Sequence, residues 1–239
     1  MVSPEDTLAA LNASAVRWCL LRGESEAGGD VDLLVHRADL DALRGLLGEI
    51  GLGELRAWGR WPHRFFVAAE LKLDVVTELA FGPHATLRTG ATEAVLARRV
   101  PGHPAPCPAA PDAFWALLLH CLLDRGAVRI SHARELVALA PSARDAESPL
   151  RSLVEAASPP AWNAAWIAGA AATGRFEDLL GLASELRARW PGTPPVAGAA
   201  RAWLRGGLRL ASRRLPSRPR LPAQQSGAIT SNSAARSTG

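Results

Sequence analysis

Hydrophobic and polar positions change their period twice along the chain. Ser3-Pro4-Glu5-Asp6 opens a helix with a capping serine, a proline at the first helical position and acids at the positive end of the dipole; Leu8 and Leu11 turn inward. "AVRWCLL" (15–21) and "DVDLLV" (30–35) read as strands, and "ADLDALRGLLGEI" (38–50) spaces Leu40, Leu43, Leu47 and Ile50 as a helix does. Three further β-type segments follow, "LRAW" (55–58), "RFFVAAE" (64–70) and "LKLDVVTEL" (71–79), with turn chemistry at Gly59 and Pro62. This order predicts a mixed α/β layer over residues 1–100.

"PGHPAPCPAAP" (101–111) carries five prolines and is read as a linker. Beyond it the pattern is helical: 112–126, 131–140, 149–157, 161–172, 175–190 and 196–215. The tail from Pro216, rich in Ser, Pro and Ala without acids or aromatics, reads as disordered. The predicted class is α+β, a mixed sheet with flanking helices followed by an all-helical C-terminal domain (112–215).

Composition changes this picture little. The chain has 239 residues, 48% hydrophobic and 21% charged, which suits a globular protein with a real core. Lys72 is the only lysine, so nearly all positive charge is arginine. The net charge of +4 is uneven: eight arginines and no acid lie from Arg201 onward, leaving residues 1–200 with 19 basic and 23 acidic side chains. Arg201, Arg205, Arg209 and Arg213 recur every four residues, a stripe that suits anionic lipid, nucleic acid or plain solvent. The acidic body argues against broad nucleic-acid contact. Cys19, Cys107 and Cys121 form no CxxC pair and imply neither a disulfide framework nor a zinc site. The start has no signal-peptide pattern and no apolar run reaches the ~20 residues of a membrane span, so the expected location is cytoplasmic.

The candidate chemistry lies in "RGESEAGGDVDLLV" (22–35). Alternate strand residues share a face, so Asp30 and Asp32 point one way while Val31, Leu33 and Val35 face the core. Two adjacent carboxylates repel unless a cation sits between them, and Mg²⁺ takes one or two carboxylates plus substrate phosphates. Asp74, between Leu73 and Val75, repeats the pattern of an acid in an apolar strand. Three such acids on two strands suit a pair of metals ~3.5–4 Å apart, the clamp for in-line attack on phosphorus. The plain alternative is a set of carboxylates on the solvated face of a sheet. Arg22, Lys72, Arg98 and Arg99 are cations that could neutralise a triphosphate or simply face solvent. His63 and His84 adjoin prolines and read as turn residues, His120-Cys121 as core of an apolar helix, and Trp162 and Trp166 as helical core.

"LLRG…GGDVDLLV…LKLDVV", with "LDVVTELAFG" and "LLHCLLDRG" after it, resembles the nucleotidyltransferase superfamily of the DNA polymerase beta type. More narrowly, it is similar to bacterial nucleotidyltransferase-like proteins associated with thymidylate kinase-like domains in polysaccharide gene clusters. The resemblance spans residues 15–140. It implies a magnesium-dependent nucleotidyltransferase that moves a nucleotidyl group from a nucleoside triphosphate to a hydroxyl of a small molecule, sugar or protein. Under it Gly23 is the turn glycine near the phosphates, with Arg22 beside it. Asp30 and Asp32 are metal ligands, and Asp74 ligates the catalytic metal and helps deprotonate the acceptor. Glu24 stands where the family has Ser or Gly, and the loop from Gly23 to Asp30 is short. The alternative is therefore a catalytically silent relative that binds or regulates a separately encoded kinase-like protein. The chain contains no GxxxxGK[ST] loop of its own.

Overall fold

The computed structural model describes residues 2–22, 31–55, 62–68, 71–145 and 147–191, and of Arg22 the backbone alone. Gly23, Glu24, Asp30, the expected helix at 196–215 and the tail lie outside the described residues. Helix α1 (Pro4–Ala13) starts as its sequence predicts: the Ser3 hydroxyl accepts from the Asp6 amide at 3.0 Å, and Leu8 and Leu11 are buried. Strands β1 (Trp18–Arg22) and β2 (Val31–Val35) precede α2 (Leu40–Glu49), which buries Leu43 and Leu47. Then come β3 (Gly53–Glu54), β4 (His63–Ala68) and β5 (Leu71–Val76). Residues 56–58 of the strand expected at 55–58 lie outside the described residues, and β3 lies before that stretch, at Gly53–Glu54. The expected 71–79 strand stops at Val76, because the Thr77 amide turns to the Pro62 carbonyl at 3.0 Å.

These strands form one mixed sheet in the order β1-β2-β5-β4-β3, so the architecture is α+β. Only β2 and β5 run parallel; the other neighbours are antiparallel. One face carries Val31, Leu33, Val35, Leu73, Val75 and Phe66 against Leu8, Leu11, Leu43 and Leu47 of the two helices. Each of these buried leucines contributes about 1.5–3 kcal/mol by leaving water. Arg17 Nε bonds Asp39 Oδ2 at 2.8 Å and staples the start of β1 to the start of α2. That guanidinium holds the Asp39 carboxyl down to about 2. A depressed carboxylate adds stability that is present above the unfolded value near 3.9 and lost as pH falls through the folded value. Denaturation midpoints are therefore expected to drop between about pH 4 and 2 by an amount that Arg17→Met makes smaller; an identical acid limb in the two proteins would refute this.

The opposite face carries Cys19, Leu34 and Val76 into a second cluster shared with the helical part. Two elements unforeseen in the sequence lead there: a hairpin of β6 (Ala80–Phe81) and β7 (Leu87–Arg88), then α3 (Thr92–Ala97). The proline-rich stretch is tied to the sheet, with Leu20 N–H donating to Pro106 O at 2.8 Å. Helix α4 (Ala110–Leu119) begins two residues before the expected start and runs into a π-helical turn, His120–Arg125, closed by Gly126 at φ 66°. Helices α5 (Ile130–Leu139), α6 (Pro149–Ala157) and α7 (Ala164–Ala172) follow. The expected 175–190 helix is two pieces, α8 (Phe176–Leu180) and α9 (Leu182–Arg189). Arg187 on α9 donates to the Leu122 and Leu123 carbonyls at 3.2 and 3.0 Å, satisfying acceptors of the π-helical turn. Among the described residues no helix is long and apolar enough to cross a membrane.

Candidate functional site

The strand register brings two of the three expected acids together. Asp32 on β2 and Asp74 on β5 are direct partners across the parallel pair, where neighbouring strands lie about 4.8 Å apart. The row continues on both sides: the Arg22 backbone opposes Asp32 across a bulge, and Phe65 opposes Asp74. Leu34 and Val76 form the next row on the same face and sink into the cluster with the helices. The half-buried carboxylates thus mark where the sheet emerges from under the helical part. Asp30, Gly23 and the Arg22 side chain lie outside the described residues, so a third acid joins the pair only on sequence grounds.

A residue passed over as a turn residue sits against the pair. His63 opens β4, and its Nδ1 lies 2.9 and 3.1 Å from the two oxygens of Asp74. It lies two residues before Phe65 on the same face of β4, with the two rings stacked at 6.4 Å. Burial pulls the His63 pKa down, but the hydrogen bond to Asp74 and the charges of Asp74, Asp32 and Asp124 outweigh it, and the net shift is upward. The signal for this role was the pleat: a strand beginning at 63 rather than 64 puts His63 on the face of Phe65.

The helical side contributes Asp124. Its Oδ1 accepts from the Gly82 amide at 2.6 Å and its Oδ2 pairs with His120 Nδ1 at 2.9 Å. Arg125 Nε in turn donates to His120 Nε2 at 3.3 Å, so Nδ1 of that ring carries the proton given to Asp124. His120 is therefore a partner of Asp124 and not core, whereas Cys121 is fully buried as expected. Asp124 holds a turn that only glycine fits at its start. Gly82 has φ 77°, and a Cβ there would meet Leu87 Cδ1 at 3.1 Å. His84 and Ala85 also adopt positive φ, 63° and 54°, in the same turn.

The other cations named from the sequence are divided by the fold. Lys72 lies on the carboxylate face, one pleat before Asp74, with Nζ 5.2 Å from the Phe65 ring centre. Arg98 is instead bound by Asp112, Asp145 and Glu147, and Arg99 caps the Leu96 carbonyl at 2.7 Å. Arg99 also lines a groove of about 570 Å³, with Asn12, Trp18 and Val100, that includes none of the carboxylates. Trp162 and Trp166 stack at 6.2 Å on the margin of the helical core, partly buried. Burial pushes the Cys19 thiol up to about 12, so it packs and does not react.

The donor set bears on magnesium directly. Asp32 and Asp74 present hard carboxylate oxygens, the ligand type that Mg²⁺ takes. Among the described residues no group of three or more His, Cys, Asp or Glu side chains could hold a metal. Comparison of the chain with family models, with curated proteins and with solved structures finds no match.

Proposed function

We propose that the chain is a metal-dependent nucleotidyltransferase acting on a hydroxyl acceptor. The observation that carries this reading is the in-register placement of Asp32 and Asp74 on adjacent parallel strands, at the margin of the helical part. Carboxylates so paired in a half-buried position lower each other's stability unless a cation or a donor stands between them. Asp32 and Asp74 would hold Mg²⁺, which when bound neutralises the triphosphate. Asp74, with His63 fixing its orientation, would take the proton of the attacking hydroxyl. The space between the sheet and Asp124 on the π-helical turn would receive the acceptor, and Gly23 with Arg22 would approach the phosphates.

The test is label transfer from labelled nucleoside triphosphates, with Mg²⁺ and cell extract as the source of acceptors. Transfer that Asp32→Ala abolishes supports the reading; no transfer with any of the four common nucleotides counts against it. A second reading draws on the same geometry: His63 already engages both Asp74 oxygens, as in a site that has exchanged its metal for a proton donor. In that case the chain binds or regulates a kinase-like protein, and calorimetry with nucleotide and Mg²⁺ shows no heat of binding.

A further inference from the structure

The sheet ends at β1, and that edge is covered only in part. His36 N–H donates to Arg17 O at 2.9 Å across the β1–β2 pair, where Trp18 lies opposite Val35 and Cys19 opposite Leu34. Antiparallel ladders alternate, so Arg17 and Cys19 turn their backbone groups to β2, and Trp18 and Leu20 turn theirs outward. Leu20 N–H meets Pro106 O there at 2.8 Å, and Cys107 pairs onward with Val100 through bonds of 2.8 and 3.0 Å. One pleat back, the Trp18 N–H has no acceptor among the described residues, although Trp18 is only 3% exposed. A buried amide left so costs free energy comparable to a lost hydrogen bond.

Trp18 borders the groove of about 570 Å³, lined also by Val16, Asn12, Arg99, Val100 and Pro106. That volume is within the ~300–1,000 Å³ of ligand sites. Asn12 Nδ2 donates to Pro104 O at 2.9 Å and ties the proline-rich stretch to α1. Arg99 is exposed, with Nη1 fixed on Leu96 O at 2.7 Å, which leaves Nε and Nη2 as donors for a carboxylate. Val100 beside it is 44% exposed, an apolar side chain at the mouth of the groove.

We propose that the edge of β1 at Trp18 takes an extended acidic peptide, which adds a strand to the sheet and sets a carboxylate against Arg99. Another extended backbone is what offers a carbonyl and an N–H at ladder spacing to the outward groups of Trp18. The apolar lining of Val16, Val100 and Pro106 accepts alternate side chains of that strand. A second copy paired edge to edge would bring Trp18–Arg22, a strand with no acid, to an edge whose charge is Arg99. The groove includes neither Asp32 nor Asp74, so this docking does not depend on the transferase reading.

The probe is a pool of end-blocked pentapeptides of valine and threonine with one aspartate, placed at each position in turn. Binding to the full, ¹⁵N-labelled chain is read at the Trp18 amide by NMR. The amide is expected to shift downfield on titration and to exchange its hydrogen at least about tenfold more slowly in the complex. Arg99→Met should weaken binding at least about tenfold, as should asparagine in place of the peptide aspartate. Ala97→Trp, at an exposed position lining the groove, should abolish it. A thermal melt confirms that each variant is folded; should Ala97→Trp fail, Val100→Asp replaces it and repels the acidic strand. No shift of the Trp18 amide with any peptide at millimolar concentration overturns the inference, as does Arg99→Met binding like the wild type. A Trp18 amide that exchanges equally fast with and without peptide gives the edge to water alone. A shift that follows protein concentration without peptide gives it to a second copy, and either result overturns the proposal.

Discussion

Asp74→Asn is expected to lower the His63 pKa and to reduce nucleotidyl transfer by about 10²–10⁴-fold, the usual contribution of a positioned proton acceptor. The first effect holds whatever the chain's reaction is. Burial pulls the imidazole down, and the hydrogen bond and charge of Asp74 pull it up, with the second pull winning. Asparagine keeps an oxygen for the Nδ1 proton but removes the charge. With the upward pull cut, the imidazole should titrate lower than in the wild type, as read by histidine-selective NMR.

The sign extends to stability. A histidine whose folded pKa lies above its ordinary value of about 6.5 adds stability that is complete below that value. The contribution is lost as pH rises through the folded pKa. Wild-type protein should therefore lose a small increment of stability above neutrality, and Asp74→Asn should lose less. Should His63 titrate at the same pH in both proteins, the Asp74–His63 contact is not as described, and the site built around it falls. A shifted His63 beside unchanged transfer would keep the geometry and remove Asp74 from the chemistry.

What the sequence made legible follows from how local each signal is. The alternation around Asp32 and Asp74 depends only on the two-residue strand period, so their shared face could be read without knowing which strands pair. That they are neighbours is a matter of long-range pairing. β2 skips over β3 and β4 to reach β5, and no local pattern encodes that step. His63 was missed because one residue of strand boundary decides its face, and proline at 62 marks a turn as readily as a strand start. The β6–β7 hairpin was missed for a related reason: strands of two residues carry no measurable alternation. Asp124 was hidden by the π-helical turn. An ideal helix through 112–126 gives no hint that its last turn widens, and the groups that bond to that turn are remote in sequence, Arg187 on α9 and the Gly82 amide.

The largest loss of stability is expected from Arg98, a residue that the sequence left between triphosphate ligand and surface charge. Its Nε lies 3.0 Å from Asp112 Oδ2, and Nη2 and Nη1 each lie 3.1 Å from Asp145 and Glu147. Asp112 is fully buried, and its other oxygen accepts from Ser148 at 2.6 Å. Ser148 caps α6 in the same step, so one carboxylate ties the end of α3 to the starts of α4 and α6. Arg98→Met keeps much of the aliphatic stem but strands the Asp112 charge with a single hydroxyl donor. Breaking a buried pair in this way costs about 3–5 kcal/mol, or roughly 6–20 °C in melting temperature for a chain of this size. Adding Asp112→Asn removes the stranded charge, so the double variant should be more stable than Arg98→Met alone, by at least about 1 kcal/mol. Denaturant titration of the two single variants and the double closes the cycle. A double variant that loses the sum of both single losses would mean that Arg98 and Asp112 act independently. The three helices would then be held by their leucines and not by this ion pair.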